Sequence, residues 1–585
     1  MPYRNLTSEQ MEAVTHDGNL LLTSCPGSGK TKTLVSKLCY ILENKYVLGI
    51  GKKKIIALTY TNIAADTILE RIMSFGISSD SLWIGTIHSF CLNWIIKPNM
   101  DRIPRLCKGF SVIDEHEKEF ILNDLKEKYH LTSNDEVLTR LDLNFKPLYP
   151  RGTNKFSLVK EYHAYLHAHK LIDFDLILNI SCCLLLKYNA LCERLSLLIR
   201  YILVDEYQDT SEIQYEILRL IISMKNTIIT LIGDKEQAIY TGLGAVVKNR
   251  KELIDFFELE DLAEMRLTGC FRSSQVIVDF YSKYKDDNYK INSLSKFKNF
   301  QSVIFKECKV DITRLSIYVS GIIRTHLAQG IPPGEIAVLC PGWFDVIKLS
   351  NEIAALNTGI EIDGVMISPI PKNNENLWLN LVKLVLIKKT PDNFNVRQKL
   401  VREFFQELNI VAPYTEATSP KQILKEINKI AISIDYDCQI DSWLCDAIKR
   451  FCHSISIDLD INFDSHCYKE MYSLINATRK RMLKYKMDYK ASDLHSFSNF
   501  KDGVKITTCH STKGDEYDVV ICTGLLNGKV PNWNDIIDCT KEHQNYVARR
   551  LLYVISSRAK KHLYMISERG NKTKSGIPYT ITPQL

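Results

Sequence analysis

The chain has 585 residues, 45% hydrophobic and 24% charged, with a net charge of +7 from 75 basic and 68 acidic side chains. That is the composition of an ordinary soluble globular protein, long enough for about four structural units, and its mild basic excess permits a polyanionic partner without demanding one. The 17 cysteines are scattered through apolar segments and read as reduced thiols, and no apolar run is long enough to span a bilayer; a cytoplasmic protein with no membrane contact is expected.

Leu20–Ser24 predicts a buried strand that runs into Cys25-Pro26-Gly27-Ser28-Gly29-Lys30-Thr31 and then a helical stretch from Lys32 to Leu42. Strand, glycine loop, Lys-Thr and helix, in that order, are what a phosphate-binding loop requires. Gly27, Ser28 and Gly29 let backbone N–H groups close on phosphate oxygens, Lys30 reaches the β- and γ-phosphates, and Thr31 ligates Mg²⁺. Ser24 stands where the generic pattern has its first glycine. Further strands are predicted at Ile55–Thr59 and Leu82–Gly85. Residues 91–199 then become helical, charged and poor in strand pattern, before strands return at Tyr201–Val204 and Thr227–Ile232. The first of these ends in Asp205-Glu206, an acidic pair suited to hold Mg²⁺ (Asp205) and to orient and deprotonate the attacking water (Glu206). Gln237, shortly after the second strand, is placed to sense the γ-phosphate.

A second α/β region is expected from about residue 260, with strands at Ile336–Leu339, Val504–Thr508 and Asp518–Thr523 and another helical stretch inside it. Arg272 and Arg558 are both assigned to this second region, as cations for the charge that develops in phosphoryl transfer. The domains are therefore 1–90 with 200–260, its insertion 91–199, then 261–371 with 500–585, and a reduced insertion 372–499. Cys438, Cys445, Cys452 and Cys467, near His453 and His466, have a spacing that a metal or iron–sulfur site could use. No CxxC pair is present, and buried cysteines on helices explain the spacing equally well.

These segments, in this order, resemble the motifs of superfamily 1 helicases of the UvrD/Rep/PcrA type. The resemblance implies an α/β fold with two RecA-like parallel-sheet motor domains, each carrying a mainly helical insertion. It implies ATP and Mg²⁺ as cofactors, hydrolysis between the two motor domains, and 3′-to-5′ movement on single-stranded DNA or DNA with a 3′ overhang. Leu6-Thr7-Ser8-Glu9-Gln10 resembles the family's Q motif, so Gln10 would read adenine, with Lys32 and Phe271 sandwiching the base and Glu516 on the ribose. Thr59-Tyr60-Thr61-Asn62-Ile63-Ala64-Ala65 and Gly85-Thr86-Ile87-His88-Ser89-Phe90 resemble the family's single-strand contact motifs, and the stretch from Val504 to Tyr517 resembles its motif V. Tyr60, Phe90 and Tyr240 are the stacking candidates, and Thr61, Asn62, Thr86, His88, Ser89, His510 and Ser511 polar contacts. Asp173-Phe174-Asp175 resembles a recurrent segment of the first insertion. Lys283-Tyr284-Lys285 and Arg479–Lys486 are basic stretches with interleaved aromatics that would add to an electrostatic footprint.

The chain departs from the family at Thr241-Gly242-Leu243, where an aromatic–arginine pair is usual, and at Tyr546-Val547-Ala548, where acids often precede the paired arginines. The second insertion is short, and the stretch after Arg558 leaves no room for a nuclease domain. A second possibility is therefore an ATP-switched DNA-binding subunit with a partner nuclease, as in stand-alone UvrD-like subunits of anti-phage systems such as Gabija.

Overall fold

A computed structural model describes the chain apart from residues 1–2, 4, 108, 114, 133–134, 136, 143, 240–244, 357, 361, 364–368, 371–375, 388, 391–392, 412–418, 458–465, 485–487, 495–502, 534–535, 537–539 and 574–575. It divides into two compact units, Met1–Gln301 with Arg549–Ser557, and Ser302–Ala548 with Arg558–Leu585.

The first unit contains β1 (Leu20–Ser24), β2 (Lys54–Thr59), β3 (Leu82–Thr86), β4 (Ser111–Val112), β5 (Leu171–Ile172), β6 (Ile199–Asp205), β7 (Ile228–Gly233), β8 (Ala263–Leu267), β9 (Gly269–Cys270) and β10 (Asn292–Ser293). Six of them form one parallel sheet in the order β3-β2-β6-β7-β1-β8, while β4 pairs with β5 and β9 with β10. Its first helices are α1 (Ser8–Thr15), α2 (Lys30–Glu43), α3 (Asn62–Ser74) and α4 (Ile87–Phe90). One face of the sheet packs on α2 and α3 through Leu34, Leu38, Ile68 and Ile72. The central strands are apolar on both faces, as a sheet covered on both sides requires; β1 is buried at all five positions. Between β3 and β6 the chain is mainly helical and includes α5 (Glu115–Lys128), α6 (Asn154–Ala168), α7 (Phe174–Lys187) and α8 (Asn189–Leu198). Leu158, Tyr162, Leu176, Ile177 and Leu195 from these helices join Phe90, Val204 and Leu231 in one core, so the insertion is packed onto the sheet's other face.

The second unit repeats the design. Strands β11 (Ile304–Glu307), β12 (Ile336–Cys340), β13 (Ile362–Asp363), β14 (Val504–Thr508), β15 (Tyr517–Cys522) and β16 (Ala559–Ile566) form a parallel sheet in the order β11-β16-β15-β12-β14-β13. Among the described residues, five helices between Leu377 and Lys484 carry a core of their own around Trp378, Phe404, Trp443 and Phe451. Among the described residues no single helix is long and apolar enough to cross a membrane; the apolar pair α7–α8 is bent by 102°.

The boundary expected at residue 260 does not coincide with the division between the units. β8 hydrogen-bonds along β1 from Leu20↔Ala263 to Ser24↔Leu267, and the first unit runs on to Gln301. β8 is an edge strand in which Glu264 and Arg266 alternate with Ala263, Met265 and Leu267, a weaker signal than the apolar runs beside it. Arg272 and Phe271 therefore belong to the first unit, not to the second region where Arg272 was expected.

Candidate nucleotide and DNA sites

β1 delivers the chain to the sheet's C-terminal edge, where the Cys25 N–H donates to Leu267 O (3.2 Å) and the Phe271 N–H to Gly27 O (2.8 Å). Gly27 and Gly29 have φ of 70° and 80°, left-handed values that a side chain would strain. A Cβ on Gly27 would lie 2.6 Å from Arg272 Cβ, and one on Gly29 would lie 2.9 Å from Gln10 Nε2. Ser24, the departure from the generic loop, uses its hydroxyl to donate to Gly233 O (2.9 Å), tying the loop's entry to β7.

The acids follow β6. Glu206 has φ 52° and ψ 45°, a left-handed conformation that is uncommon for a residue with a side chain and costs on the order of 1 kcal/mol. It is held there by partners. Lys30 Nζ lies 3.1 Å from its carboxylate, and Gln208 Nε2 donates to Glu206 Oε2 (2.5 Å). Burial works against the Lys30 charge, but Glu206, Asp234 and Asp205 outweigh it and raise its pKa. Gln208 is fully buried and accepts the Asp234 N–H at its other end (3.0 Å). A Cβ on Gly233 would fall 2.1 Å from Gln208 Oε1, so only glycine lets that bridge form. Asp234 in turn accepts from Gln237 Nε2 (2.7 Å) and from the Glu236 N–H (3.0 Å). Burial pushes the Asp234 carboxyl up to about 6, against the pull of Lys30 and Gln237. Glu236 is buried against Arg550, which also binds Asp286 (2.9 Å), and Arg272 donates to Ser557 O (2.9 Å). The loop, Glu206, Gln237 and the helix end Arg549–Ser557 are thus one hydrogen-bonded array within the first unit.

At the same sheet edge, Tyr60 follows β2 and is 53% exposed, while Thr61 caps α3 by accepting the Ala64 N–H (3.2 Å). Thr86 ends β3, accepts the Ser89 N–H (3.2 Å) and donates to the Ser89 hydroxyl (3.1 Å). His88 sits edge-on to Phe174 of the insertion, 5.4 Å between ring centroids. Burial holds its pKa below the usual histidine value, with Asp175 opposing. A cleft of about 1060 Å³ is lined by Tyr60, Thr86, His88, Asp205 and Glu206 on the sheet side and by Lys118 on the insertion. Its far wall is pinned by Asp175, which binds Lys118 and Thr139 (both 3.1 Å), and by Asp173, which caps α7 and accepts from Tyr162 (2.8 Å). In the second unit, Thr508 ends β14, shares a hydroxyl contact with Ser511 (2.7 Å) and accepts the Ser511 N–H (3.2 Å).

Residues 6–258 match the UvrD/REP helicase N-terminal domain, and residues 195–570 match the UvrD-like helicase C-terminal domain. The chain belongs to the UvrD-like helicase family. A probable DNA helicase II homolog of Mycoplasma capricolum is 26% identical over 97% of this chain and 84% of its own length. The ATP-dependent DNA helicase PcrA of Staphylococcus epidermidis is 24% identical, over 96% of this chain and 83% of its own. That of Staphylococcus aureus is 22% identical, over 99% and 85%. The chain is accordingly an ATP-hydrolysing DNA helicase.

The helicase's residues fit a nucleotide. Ser28 Oγ is buried in the loop with no hydrogen-bond partner, the two left-handed glycines shape a concavity, and α2 begins without a side-chain cap. Thr31 and Asp205 offer oxygen donors of the kind Mg²⁺ takes. Gln10 is nearly enclosed and donates to Ser28 O (2.9 Å), while Lys32 and Phe271 are exposed beside the loop. Gln10, the loop, Asp205, Glu206, Gln237, Phe271 and Arg272 come together in the first unit. Glu516, Arg558, His510 and Ser511 belong to the second, where Glu516 faces Lys560 (3.6 Å) and buried Arg558 reaches Asp515 O (3.4 Å).

Two readings change. Phe90 is fully buried and stacked on Trp94 (6.1 Å), which removes it from the base-stacking candidates. In Lys283-Tyr284-Lys285, Tyr284 is buried and Lys285 turns onto the Tyr289 ring (4.0 Å), so this stretch is not a free basic face. Cys452 and Cys467 are buried, Cys438 and Cys445 half-buried, and among the described residues no three His, Cys, Asp or Glu side chains are placed to hold a metal. Tyr240 and Thr241–Leu243 lie outside the described residues, as do the side chains of Asn62 and His466 and part of the Arg479–Lys486 stretch. Sequence reasoning gave no role to Gln208, Asp234, Glu236 or Arg550. Their signal was position: Gln208, Asp234 and Glu236 come shortly after apolar strands, and Arg550 precedes the apolar run Leu551–Ile555.

Proposed function

We propose that this helicase hydrolyses Mg-ATP at the Lys30–Glu206 array and uses it to move 3′-to-5′ along single-stranded DNA. The observation that carries the reading is the Lys30–Glu206–Gln208–Asp234–Gln237 chain of contacts, which joins the phosphate loop to the base and to the γ-phosphate sensor. Lys30 binds the phosphates, and Glu206, freed from Lys30 by the nucleotide, orients and deprotonates the attacking water. Mg²⁺ held by Thr31 and Asp205 would offset charge on the phosphoryl oxygens. Gln237 senses the γ-phosphate, and Arg272 and Arg558 are the cations for the developing charge. Gln10, Lys32 and Phe271 take the base, and Glu516 the ribose. Tyr60, Thr61, Asn62, Thr86, His88, Ser89, Tyr240, His510 and Ser511 are the DNA contacts, with bases stacking on the aromatics. The two motor domains of this reading keep their helical insertions at 91–199 and 372–499. A cytoplasmic setting suits the described cysteines, all of which are free thiols.

The test is ATP turnover with and without single-stranded DNA, together with strand displacement on duplexes bearing a 3′ or a 5′ overhang. Stimulated turnover with displacement of the 3′-overhang duplex alone supports the reading; displacement from a 5′ overhang overturns the polarity. The sequence Thr241-Gly242-Leu243, without the usual aromatic–arginine pair, favours a second reading: an ATP-switched DNA-binding subunit that works with a partner nuclease. Stimulation without any displacement would favour that one.

A further inference from the structure

Lys37 is a buried ammonium with no role in the site described above. It lies on α2, two turns beyond Lys30, and is 1% exposed. Its Nζ donates to Ala13 O (3.0 Å) and His16 O (2.8 Å), both at the C-terminal end of α1. Those carbonyls are among the acceptors that a helix leaves without an internal partner, and α1 has no basic residue in its own last turn. Burial pushes the Lys37 pKa down to about 8, with Asp17 opposing, while the Asp17 carboxylate itself accepts from Tyr201 (2.7 Å). A lysine kept charged in such a place serves the groups it caps.

The helix it caps carries Gln10. At the other end α1 is fastened by a Thr7–Gln10 capping box, by Glu9 accepting from the Thr268 N–H (2.8 Å) and hydroxyl (2.6 Å), and by Lys32 donating to Asn5 O (2.7 Å). Gln10 Oε1 accepts from the Thr7 N–H (3.0 Å), and Nε2 donates to Ser28 O (2.9 Å). A primary amide has two acceptor lone pairs and two N–H groups, so one of each remains. Adenine presents an N6–H donor beside the N7 acceptor, which this remainder matches; guanine presents two acceptors, O6 and N7, which it does not.

We propose that Lys37 is a positioning residue for base recognition: by fixing the C-terminal end of α1 on α2 it sets Gln10 against the phosphate loop, so that preference for adenine over guanine nucleotides depends on a side chain that touches neither. The proposal rests on the reading that Gln10 meets the base, and the experiment separates the two. The kcat/KM for ATP and for GTP is measured, each pair on one preparation, for the wild type, Gln10→Ala, Lys37→Met and the double variant. The ratio within a preparation cancels any inactive fraction. Gln10→Ala should lower the ATP/GTP ratio about tenfold, the effect of one hydrogen bond, and Lys37→Met should lower it severalfold with kcat for GTP little changed. The double variant should fall no further than Gln10→Ala, because Lys37 acts through Gln10. Lys37→Gln, which keeps a donor of similar length, should lie between wild type and Lys37→Met, and it replaces Lys37→Met if that variant yields no active protein. An unchanged ratio in the Lys37 variants beside a reduced one in Gln10→Ala would overturn the role of Lys37. An unchanged ratio in Gln10→Ala would overturn the reading of Gln10 and the proposal with it.

Discussion

Both units end a strand in the same pattern: Thr86-Ile87-His88-Ser89 after β3 and Thr508-Cys509-His510-Ser511 after β14. In each, the strand-end threonine accepts the serine N–H at 3.2 Å and meets its hydroxyl, so a short helical turn starts at the strand's C-terminal end and carries a half-buried histidine. What surrounds the pattern differs. In the first unit the histidine is braced by Phe174 from the insertion, and the glycine loop, Glu206 and Gln237 follow strands β1, β6 and β7 of the same sheet. In the second unit β12 is followed by Pro341-Gly342-Trp343-Phe344, and Gly342 has φ −140°, an ordinary extended value rather than the left-handed turn of Gly27 and Gly29. The repeated sheet thus keeps one strand-end feature in both copies and carries the left-handed glycine loop in only one.

The sharpest way to break this asymmetry is at the base. Glu206→Gln and Lys30→Ala should each lower ATP turnover by about 10³-fold or more, while Glu206→Gln still binds nucleotide in a fluorescent-analogue titration. Near-normal turnover in either would mean that the chemistry lies elsewhere. Gln208→Ala leaves Glu206 in place but removes its bridge to β7, and kcat should fall about tenfold with KM for ATP little changed. Phe174→Leu removes the ring that braces the first unit's His88. It should raise the DNA concentration for half-maximal stimulation severalfold without altering turnover in the absence of DNA, a contact loss of about 1 kcal/mol.

The smallest expected effect is on stability and marks the second unit. His562 packs on His326 (4.8 Å between centroids), and burial together with His326 pushes its pKa down to about 4. The unfolded chain therefore takes up that proton first, so the stabilisation is present above about pH 6.5 and is lost as pH falls toward 4. The site is partly exposed, so the loss is about 1 kcal/mol after solvent screening. Thermal melting against pH should show a shallower acid limb in His562→Gln than in the wild type; equal limbs would assign the acid response to other groups.

Much of the first site was legible in the sequence because it is local. The strand Leu20–Ser24, its loop and α2 are contiguous, and Val504–Thr508 is a strand with the predicted bounds. Other strands extend a residue or two beyond their apolar runs, as β6 does from Ile199 to Asp205. What escaped was set by contacts between distant stretches. Gln208 looked like a polar residue after a strand until Asp234 was found at its other end. Arg550 is one of a pair of arginines in sequence, and nothing near it along the chain points to Glu236, against which it is buried. The repeated Thr-x-His-Ser pattern is too short to register as an internal repeat; only the matching strand ends and hydroxyl contacts make it one. β8 escaped for a different reason: half its side chains are polar because it is an edge.

In the function proposed above, the phosphate loop and Glu206 lie in the first unit, Arg558 in the second, and each unit contacts DNA at a strand end. That arrangement is tested most directly by steady-state ATP turnover against the concentration of a single-stranded oligonucleotide, for the wild type, Ser89→Ala, Ser511→Ala and the double variant. The predicted result is saturable stimulation in the wild type. Each single variant should shift the midpoint to higher DNA, the double should shift it further, and turnover without DNA should be the same in all four. A flat response in the wild type, or a midpoint that moves with Ser89→Ala and not with Ser511→Ala, would contradict it.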